Sequence, residues 1–480
     1  MRIRIQDLAR PSVYRRFQDE SRQADISLIN LNLMLVNNDG TFDQQAYMPL
    51  GLLYLAAVIR RAGYNSEFID YQLYSHAREF DAARFARDAQ PQGDLIGISC
   101  MSNMLPFAIL VAEEIHRQWP HKKIILGGVG PSPVAAGIVE KFDFIDHVVI
   151  GEGEIAILNL LEAYEQQTSR EIVGRVVQGI PPAKLDDLPL PDYDLIDFVA
   201  YDAAPSLITS RGCPFQCTFC TEPINFSGRV RFRNNDSVLR EMEEIYQRSG
   251  RTMYLFQDDI LPMKKSRFRE MLRGFGSLSF EPEWKCFSRV DLMDEELMTS
   301  MASAGCCQIR YGIESGSNTT LKTLKKGFEI ELAYEVAKRS VEIFDSVHAS
   351  FIWGYPFEQV EEFRETLYWV RKFEEAGVSV LLFEYSPLPG SPLYKQFREG
   401  LEFSPDFYSF YVLGGHEIVK SGSYDTRDST GEAISELIKS SPNIFSGFYH
   451  YASHTKMRLA EELSSFNSTR RTAVRNERDL

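Results

Sequence analysis

The chain has 480 residues, of which 44% are hydrophobic and 25% charged, an ordinary globular composition with length for two or three domains. Its net charge of −15 argues against nucleic acid as the main partner, because a phosphate backbone attracts a basic face. No apolar run reaches the ~18–20 residues of a membrane span, so no membrane-spanning segment is expected.

Met1-Arg2-Ile3-Arg4-Ile5-Gln6 lacks the apolar core of a signal peptide, and a cytoplasmic protein is expected. The seven cysteines are unevenly spread. That suits reduced thiols and a metal site better than a disulfide framework.

Residues 1–24 are polar and charged, a short lead-in. Ile26-Ser27-Leu28-Ile29-Asn30-Leu31 is an apolar run suited to a buried strand. A polar loop is expected at Asn37-Asn38-Asp39-Gly40. The run from Met48 to Gly63 reads as a helix, with Pro49 near its start and Gly63 as its stop. Ser66–Asp70, Asp94–Ser99 and Lys123–Gly128 read as strands, with a helix from Pro106 to Trp119 between the last two. His147-Val148-Val149-Ile150 follows as a further strand.

Strands alternating with helices predict an α/β fold, here a doubly wound parallel sheet over 25–165. Such sheets bind ligands beyond the carboxyl ends of their strands. Those ends carry Ser99, Ser102, Gly127, Gly128, Gly130, Gly151, Glu152 and Gly153. Glycine there lets a large flat or phosphate-bearing ligand approach the backbone. Residues 166–204, punctuated by Pro181-Pro182 and Pro189-Leu190-Pro191, read as a linker.

The apolar run Pro205-Ser206-Leu207-Ile208-Thr209 reads as a strand that breaks into a loop at Gly212. Three of the seven cysteines, Cys213, Cys217 and Cys220, then fall within eight residues, spaced C-x3-C-x2-C. Three thiolates on one loop suit three irons of a [4Fe–4S] cube and leave the fourth iron open to a small molecule. A structural zinc site and chance clustering are the alternatives. Zinc usually takes two C-x2-C pairs or a Cys/His mixture, and no His lies near this loop.

The loop, with Phe219 before its last cysteine, resembles the radical S-adenosylmethionine (SAM) superfamily. The resemblance implies a cluster whose open iron binds SAM, and cleavage of SAM by one electron to methionine and a 5′-deoxyadenosyl radical. It also implies an electron donor such as flavodoxin or ferredoxin. The segment 25–165 in turn resembles the cobalamin-binding domain fused to many radical SAM enzymes. Pro49-Leu50-Gly51-Leu52-Leu53-Tyr54-Leu55-Ala56, Gly97-Ile98-Ser99, Gly127-Gly128 and Gly151-Glu152-Gly153-Glu154 carry that likeness. No D-x-H-x-x-G occurs, so the cobalt-ligating histidine of the wider cobalamin family is missing. Cobalamin without that ligand and a purely structural sheet both stand as readings.

From 205 to 398 the chain repeats strand, loop, helix. Strands are expected at 205–210, 252–257, 284–289, 307–313, 348–353 and 379–386, and helices at 236–248, 264–275, 294–304, 329–344 and 359–376. Six units suit the partial (β/α)6 barrel that the resemblance implies. Functional residues then sit at the carboxyl ends of the strands.

The second strand ends in Gln257-Asp258-Asp259. A carboxylate there suits the SAM ammonium, and a helix cap is the plainer role. The third ends in Phe287-Ser288-Arg289. The fork of Arg289 suits the SAM carboxylate, and an ion pair is the plainer role. The fourth ends in Tyr311-Gly312-Ile313-Glu314-Ser315-Gly316, which resembles the family's G-I-E-S-G stretch, with Glu314 and Ser315 toward SAM. The fifth ends in Trp353-Gly354-Tyr355-Pro356-Phe357-Glu358. The family usually has Gly where Phe357 stands, which touches the expected adenine contact near Gly354.

Cys100, Cys286, Cys306 and Cys307 read as small apolar residues. Residues 399–480 read as a helical cap or substrate-shaping cover with helices at 428–440 and 454–465, an aromatic cluster from Phe403 to Tyr451, and a disordered tail. The resemblance implies cobalamin-dependent methylation of an unactivated carbon of a small molecule, such as a specialised metabolite. A cyclisation, ring contraction or deoxygenation without methyl transfer is the alternative. A non-catalytic metal scaffold is the third.

Overall fold

A computed structural model describes residues 13–32, 34–38, 41–166, 174–201, 203–222, 226, 228–403, 429–451 and 458–467. The chain divides into two compact units. The first comprises Met1–Pro205, Ile224–Ser227 and Phe403–Tyr449, and the second Ser206–Pro223, Gly228–Glu402 and His450–Leu480.

The first unit is built on strands β1 (Tyr14–Phe17), β2 (Ile26–Asn30), β5 (Ser66–Asp70), β6 (Leu95–Ser99), β7 (Lys123–Gly127), β8 (His147–Ile150) and β9 (Val176–Gln178). They form one sheet in the order β1-β5-β2-β6-β7-β8-β9. Only the β1–β5 pair is antiparallel. β2 and β5 are buried at every position, the continuous apolar reading of a two-sided parallel sheet. Helices α1 (Leu50–Arg61), α2 (Ala82–Ala89), α3 (Leu105–Gln118), α4 (Ala135–Lys141) and α5 (Glu154–Glu165) connect the strands. Gly63, at φ +90°, stops α1, since a left-handed residue there closes the last carbonyls. The order β5-β2-β6 reverses direction at β2, so the ligand crevice lies beyond the ends of β2 and β6.

Several local expectations change. Tyr14–Phe17 is a paired edge strand inside the predicted lead-in. The polar stretch at Asn37 and Asn38 ends a strand, β3 (Met34–Asn38), that pairs with β4 (Thr41–Gln45). Asp39 and Gly40 lie outside the described residues. The proline-rich segment contributes β9 to the sheet and buries Tyr193, Leu195 and Tyr201 in this unit. Tyr201 donates its hydroxyl to the buried Asp70 at 2.6 Å. The helix Ser429–Ser440 matches its predicted span. It does not stand apart as a cap, because Ile434, Ile438, Ile444, Phe445 and Phe448 join the first unit's core. Phe407, Tyr408, Phe410 and Tyr411 lie outside the described residues.

The second unit holds β10 (Ser206–Leu207), β11 (Ser210–Arg211), β12 (Arg231–Phe232), β13 (Met253–Phe256), β14 (Glu283–Ser288), β15 (Cys306–Glu314), β16 (Ser346–Trp353) and β17 (Ser379–Glu384). Six of them form an all-parallel sheet in sequential order, β10-β13-β14-β15-β16-β17. Helices α6 (Asn235–Ser249), α7 (Lys265–Gly274), α8 (Glu295–Ser303), α9 (Asn318–Thr323), α10 (Ile330–Val341), α11 (Val360–Glu375) and α12 (Pro392–Phe397) follow the strands. This is the partial (β/α)6 barrel. β11 leaves the sheet to pair with β12, which carries the chain into the cysteine loop. Among the described residues no helix is long and apolar enough to cross a membrane.

Candidate active site

The cysteine loop leaves β11 through Gly212 at φ +96°. It is pinned to its own unit by backbone bonds from Thr218 N–H to Leu324 O at 3.1 Å and from Leu393 N–H to Thr218 O at 2.8 Å. Cys213, Cys217 and Cys220 are free and partly exposed. Burial pushes the Cys220 thiol up to about 12 and raises Cys213 too. Such thiols are protonated until a cation displaces the proton. Among the described residues no three His, Cys, Asp or Glu side chains converge on one ion. A cube binds each thiolate to a different iron, and three partly exposed thiols on one loop fit that arrangement.

The strand ends divide into residues that build the loop's support and residues left facing it. Asp258 is a builder. Its buried carboxylate accepts Thr209 N–H at 2.9 Å, Thr209 Oγ1–H at 2.8 Å and Ser210 Oγ–H at 2.5 Å. Those bonds hold the segment entering the loop and engage both carboxylate oxygens within the chain. Arg289 is also a builder. It is 3% exposed, and Nε and Nη2 bind the two oxygens of Asp291, both at 2.9 Å. Nε and Nη2 are thus engaged within the chain. The guanidinium lies 3.7 Å from the Phe215 ring centroid and points Nη1 at Cys217 Sγ, 3.9 Å away.

Ser315 is fully buried. It meets Thr366 Oγ1 of α11 at 3.2 Å and accepts Ser317 N–H at 3.1 Å, so its hydroxyl is engaged within the chain. The Ser288 hydroxyl is buried beside the Arg289 carbonyl, 3.5 Å away.

Glu314, Gly354 and Phe219 are differently placed. Glu314 takes φ +78°, a left-handed conformation that a side chain adopts only under constraint. A register shift between Gly312 and Glu314 accompanies it. Its carboxylate lies 3.4 Å from Lys326 Nζ, and burial raises its pKa. Gly354, at φ +83°, donates its N–H to Glu358 Oε2 at 2.7 Å. Burial pushes Glu358 up to about 8. Phe219 packs 6.5 Å from Tyr355, which stacks on Phe357 at 5.6 Å. Tyr355 is buried, and its hydroxyl finds no hydrogen-bond partner among the described residues.

Lys326 and Tyr355 are the functional candidates that the motifs leave out. The signal for Lys326 is the pair Lys325-Lys326 shortly after a buried acidic strand end, since a buried carboxylate calls for a cation. Cys100, Cys286 and Cys306 are buried, and Cys100 is pushed up to about 12 by burial alone, as core thiols are.

At the crevice of the first unit, Met101 and Val129 stand 45% and 43% exposed on the loops after β6 and β7. A Cβ on Gly127 would meet nothing within 4 Å, so this glycine faces open space. Gly128 and Gly130 serve the chain instead. Their Cβ atoms would fall 2.8 Å from Cys100 O and 2.7 Å from the Met101 carbonyl carbon. Gly151, at φ +80°, and Gly153 lie on the loop after β8, and the Gly153 Cβ would meet Leu55. Glu152 is buried, while Ser99 and Ser102 are partly exposed. Asn32 Oδ1 accepts Met101 N–H at 2.7 Å. His147 Nδ1 meets Gly174 O at 2.7 Å and Nε2 meets Tyr164 OH at 2.8 Å, so both ring nitrogens are engaged within the chain.

The B12 binding domain family matches residues 44–161, and the Radical SAM superfamily matches residues 207–370. The chain belongs to the cobalamin-binding radical SAM enzymes. Its cofactors are accordingly a [4Fe–4S] cluster, SAM and cobalamin. The exposed Met101 and Val129 side chains and the open side of Gly127 suit a flat corrin.

The chain is 28% identical over 364 residues to an uncharacterized methyltransferase of Pyrococcus horikoshii, covering 72% of this chain and 78% of that protein. It is 26% identical to the anaerobic magnesium-protoporphyrin IX monomethyl ester cyclase of Cereibacter sphaeroides, covering 76% of this chain and 63% of the cyclase. Among solved structures, the radical SAM methyltransferase TsrM of Kitasatospora setae, with cobalamin and cluster bound, superposes with a TM-score of 0.64 at 18% identity, over 79% of this chain and 80% of that one. The cobalamin-dependent radical enzyme OxsB superposes at 0.61 with 17% identity, over 91% and 65%. These likenesses show a shared fold.

Proposed function

We propose that this radical SAM enzyme is a cobalamin-dependent methyltransferase that methylates an unactivated carbon of a small molecule. The observation that carries this reading is the tandem of a cobalamin-type sheet and a three-cysteine loop on a partial barrel. Methyltransferases among its relatives support it. When bound, the cofactors supply one-electron cleavage of SAM and a transferable methyl group.

The chain's own residues prepare the ground for that chemistry. Cys213, Cys217 and Cys220 hold the cluster. Asp258 fixes the strand that enters their loop, and Arg289 braces Phe215 and Cys217. Glu314, balanced by Lys326, and the left-handed Gly354 present polar atoms to SAM at the strand ends. Phe219, Tyr355 and Phe357 form an aromatic wall that excludes water from reactive species. On the first unit, Gly127, Met101 and Val129 cradle cobalamin. A flavodoxin- or ferredoxin-type donor supplies the electron, and a reducing cytoplasm suits the oxygen-sensitive cluster.

The test is anaerobic reconstitution with iron, sulfide and hydroxocobalamin, followed by turnover with SAM, a reductant and candidate substrates. Methylated product with S-adenosylhomocysteine is the expected result. The cyclase relatives favour a second reading, radical chemistry without methyl transfer. Substrate-dependent 5′-deoxyadenosine with no S-adenosylhomocysteine would select it. Bound iron with no SAM cleavage at all would leave a non-catalytic scaffold.

A further inference from the structure

Arg289 is held from several sides, and the part of it left over points at a cysteine. It follows β14 at the carboxyl end of the sheet and is buried. Nε and Nη2 grip Asp291, and Nη2 also donates to the Lys326 carbonyl. The guanidinium lies 3.7 Å from the Phe215 ring centroid and 5.4 Å from that of Phe328. A side-on grip through Nε and Nη2 leaves Nη1 as the arm that projects away from the carboxylate. That arm reaches Cys217 Sγ at 3.9 Å.

Asp291 alone would balance a buried guanidinium. It does not call for a ring from the cysteine loop or a sulfur at the tip. Phe215 lies between Cys213 and Cys217 in the chain, so the loop itself carries the platform that steadies the arm. A neutral thiol is a weak acceptor, and an ionised acceptor suits a cationic N–H far better. The pairing is therefore matched to a thiolate at Cys217. Cys220 Sγ is met differently, by the uncharged Glu222 N–H at 3.4 Å. The other buried cation nearby, Lys326, turns its Nζ to Glu314 at 3.4 Å and to the Phe219 ring at 5.9 Å. Among the described residues, then, Cys217 is the loop cysteine with a charged donor.

Hydrogen bonds to the sulfurs, charge and solvent exposure set the reduction potential of an iron–sulfur cluster. A buried cationic donor stabilises the reduced state, which carries one more negative charge, over the oxidised state. In a chain of net charge −15, the general field works the other way. We propose that Arg289 is a positioning residue that raises the reduction potential of the cluster by donating Nη1–H to the Cys217 thiolate. The inference rests on Cys213, Cys217 and Cys220 as cluster ligands and is independent of methyl transfer.

The test is potentiometric titration of the anaerobically reconstituted protein without SAM, with the reduced cluster read by electron paramagnetic resonance. Arg289→Gln should make the cluster about tenfold harder to reduce at a fixed potential, a midpoint about 59 mV lower for a one-electron couple. Arg289→Lys keeps the charge without the fork and should recover part of the shift. Asp291→Asn removes the balancing charge while Phe215 and the Lys326 carbonyl still hold the guanidinium, so its midpoint should rise. Arg240→Gln, on the exposed side of α6, makes the same change of net charge as Arg289→Gln and should leave the midpoint in place. A role limited to bracing the loop would move Arg289→Gln and Asp291→Asn in the same direction, and that result overturns the proposal. So does a native midpoint in Arg289→Gln with native iron content. A measurement free of variants is electron–nuclear double resonance of the native reduced protein carrying arginine labelled with nitrogen-15 in its guanidinium. A nitrogen coupling is expected, and its absence overturns the contact even if Arg289→Gln fails to fold. Native protein that takes up no iron would instead sink the cluster ligands themselves, and the role of Arg289 with them.

Discussion

Replacing Asp258 separates building the cluster loop from touching SAM. The carboxylate accepts three hydrogen bonds, from Thr209 N–H, Thr209 Oγ1–H and Ser210 Oγ–H. In Asp258→Ala the two hydroxyls can turn to other acceptors, but the buried backbone N–H cannot. Counting that N–H in full and one hydroxyl, the local loss is about 3 kcal/mol. Asp258→Asn keeps Oδ1 for both hydroxyls and sets an N–H against Thr209 N–H, a loss of about 2 kcal/mol. A chain of two units does not unfold in one step, so the readout is amide exchange at residues 209–211. It should quicken about a hundredfold in Asp258→Ala. Iron retained after reconstitution should fall with it. If Asp258→Asn leaves exchange and iron as they were but weakens SAM binding about tenfold, the builder role is refuted and the carboxylate is a SAM contact after all.

Asp70 sets a pH dependence. Full burial pushes its carboxyl up to about 6, against about 3.9 in the unfolded chain. Between those values the folded state holds the proton and the unfolded state does not. Stability from this group therefore falls as pH rises through the window, by about 3 kcal/mol, and is flat above it. The midpoint of the first unit's own urea transition, compared between the native protein and Asp70→Asn, should shift from pH 4 to pH 6 in that direction; a pH-independent difference would contradict it. Gly127→Ala should leave stability unchanged, since its Cβ meets nothing, and weaken cobalamin retention; full retention would move the corrin elsewhere. Gly130→Ala, whose Cβ falls 2.7 Å from the Met101 carbonyl carbon, should cost about 1–3 kcal/mol of thermal stability. A Cβ at Gly312 would fall 2.4 Å from Glu314 Oε1, the far end of a flexible side chain. Gly312→Ala should thus keep its iron yet weaken SAM binding, and unchanged SAM affinity would remove Glu314 from the site.

The repeat of strands and helices in the second unit was legible because each element carries its own period. The expected strand 252–257 is observed at Met253–Phe256, and the expected helix 359–376 at Val360–Glu375. What escaped had no local period to show. β9 has three residues and gains its place by pairing with β8. The prolines around it mark an irregular path, which reads as a linker whether or not Tyr193 and Tyr201 are buried along it. Ile434 and Ile438 mark a helix with an apolar face, but nothing local says which core receives that face.

The site shows the same division at finer scale. Three cysteines at fixed spacing announce a cluster because the chemistry needs those atoms on one loop. Asp258, Arg289 and Ser315 were found at strand ends, where function gathers in a barrel, but their partners turned out to be the chain's own. A carboxylate beside a cluster loop has two possible customers, the ligand and the backbone that carries the ligand. Sequence position cannot separate them, because both lie at the same end of the same strand. Counting filled hydrogen-bond positions does. Asp258 already accepts three bonds and Arg289 grips Asp291 by two. Glu314 instead holds a left-handed backbone to place its carboxylate beside Lys326. Strain of that kind persists only where surrounding structure enforces it, and Ser315, next in the chain, is anchored on Thr366. The motif is therefore a record of both kinds of residue, and the contacts of each side chain sort them.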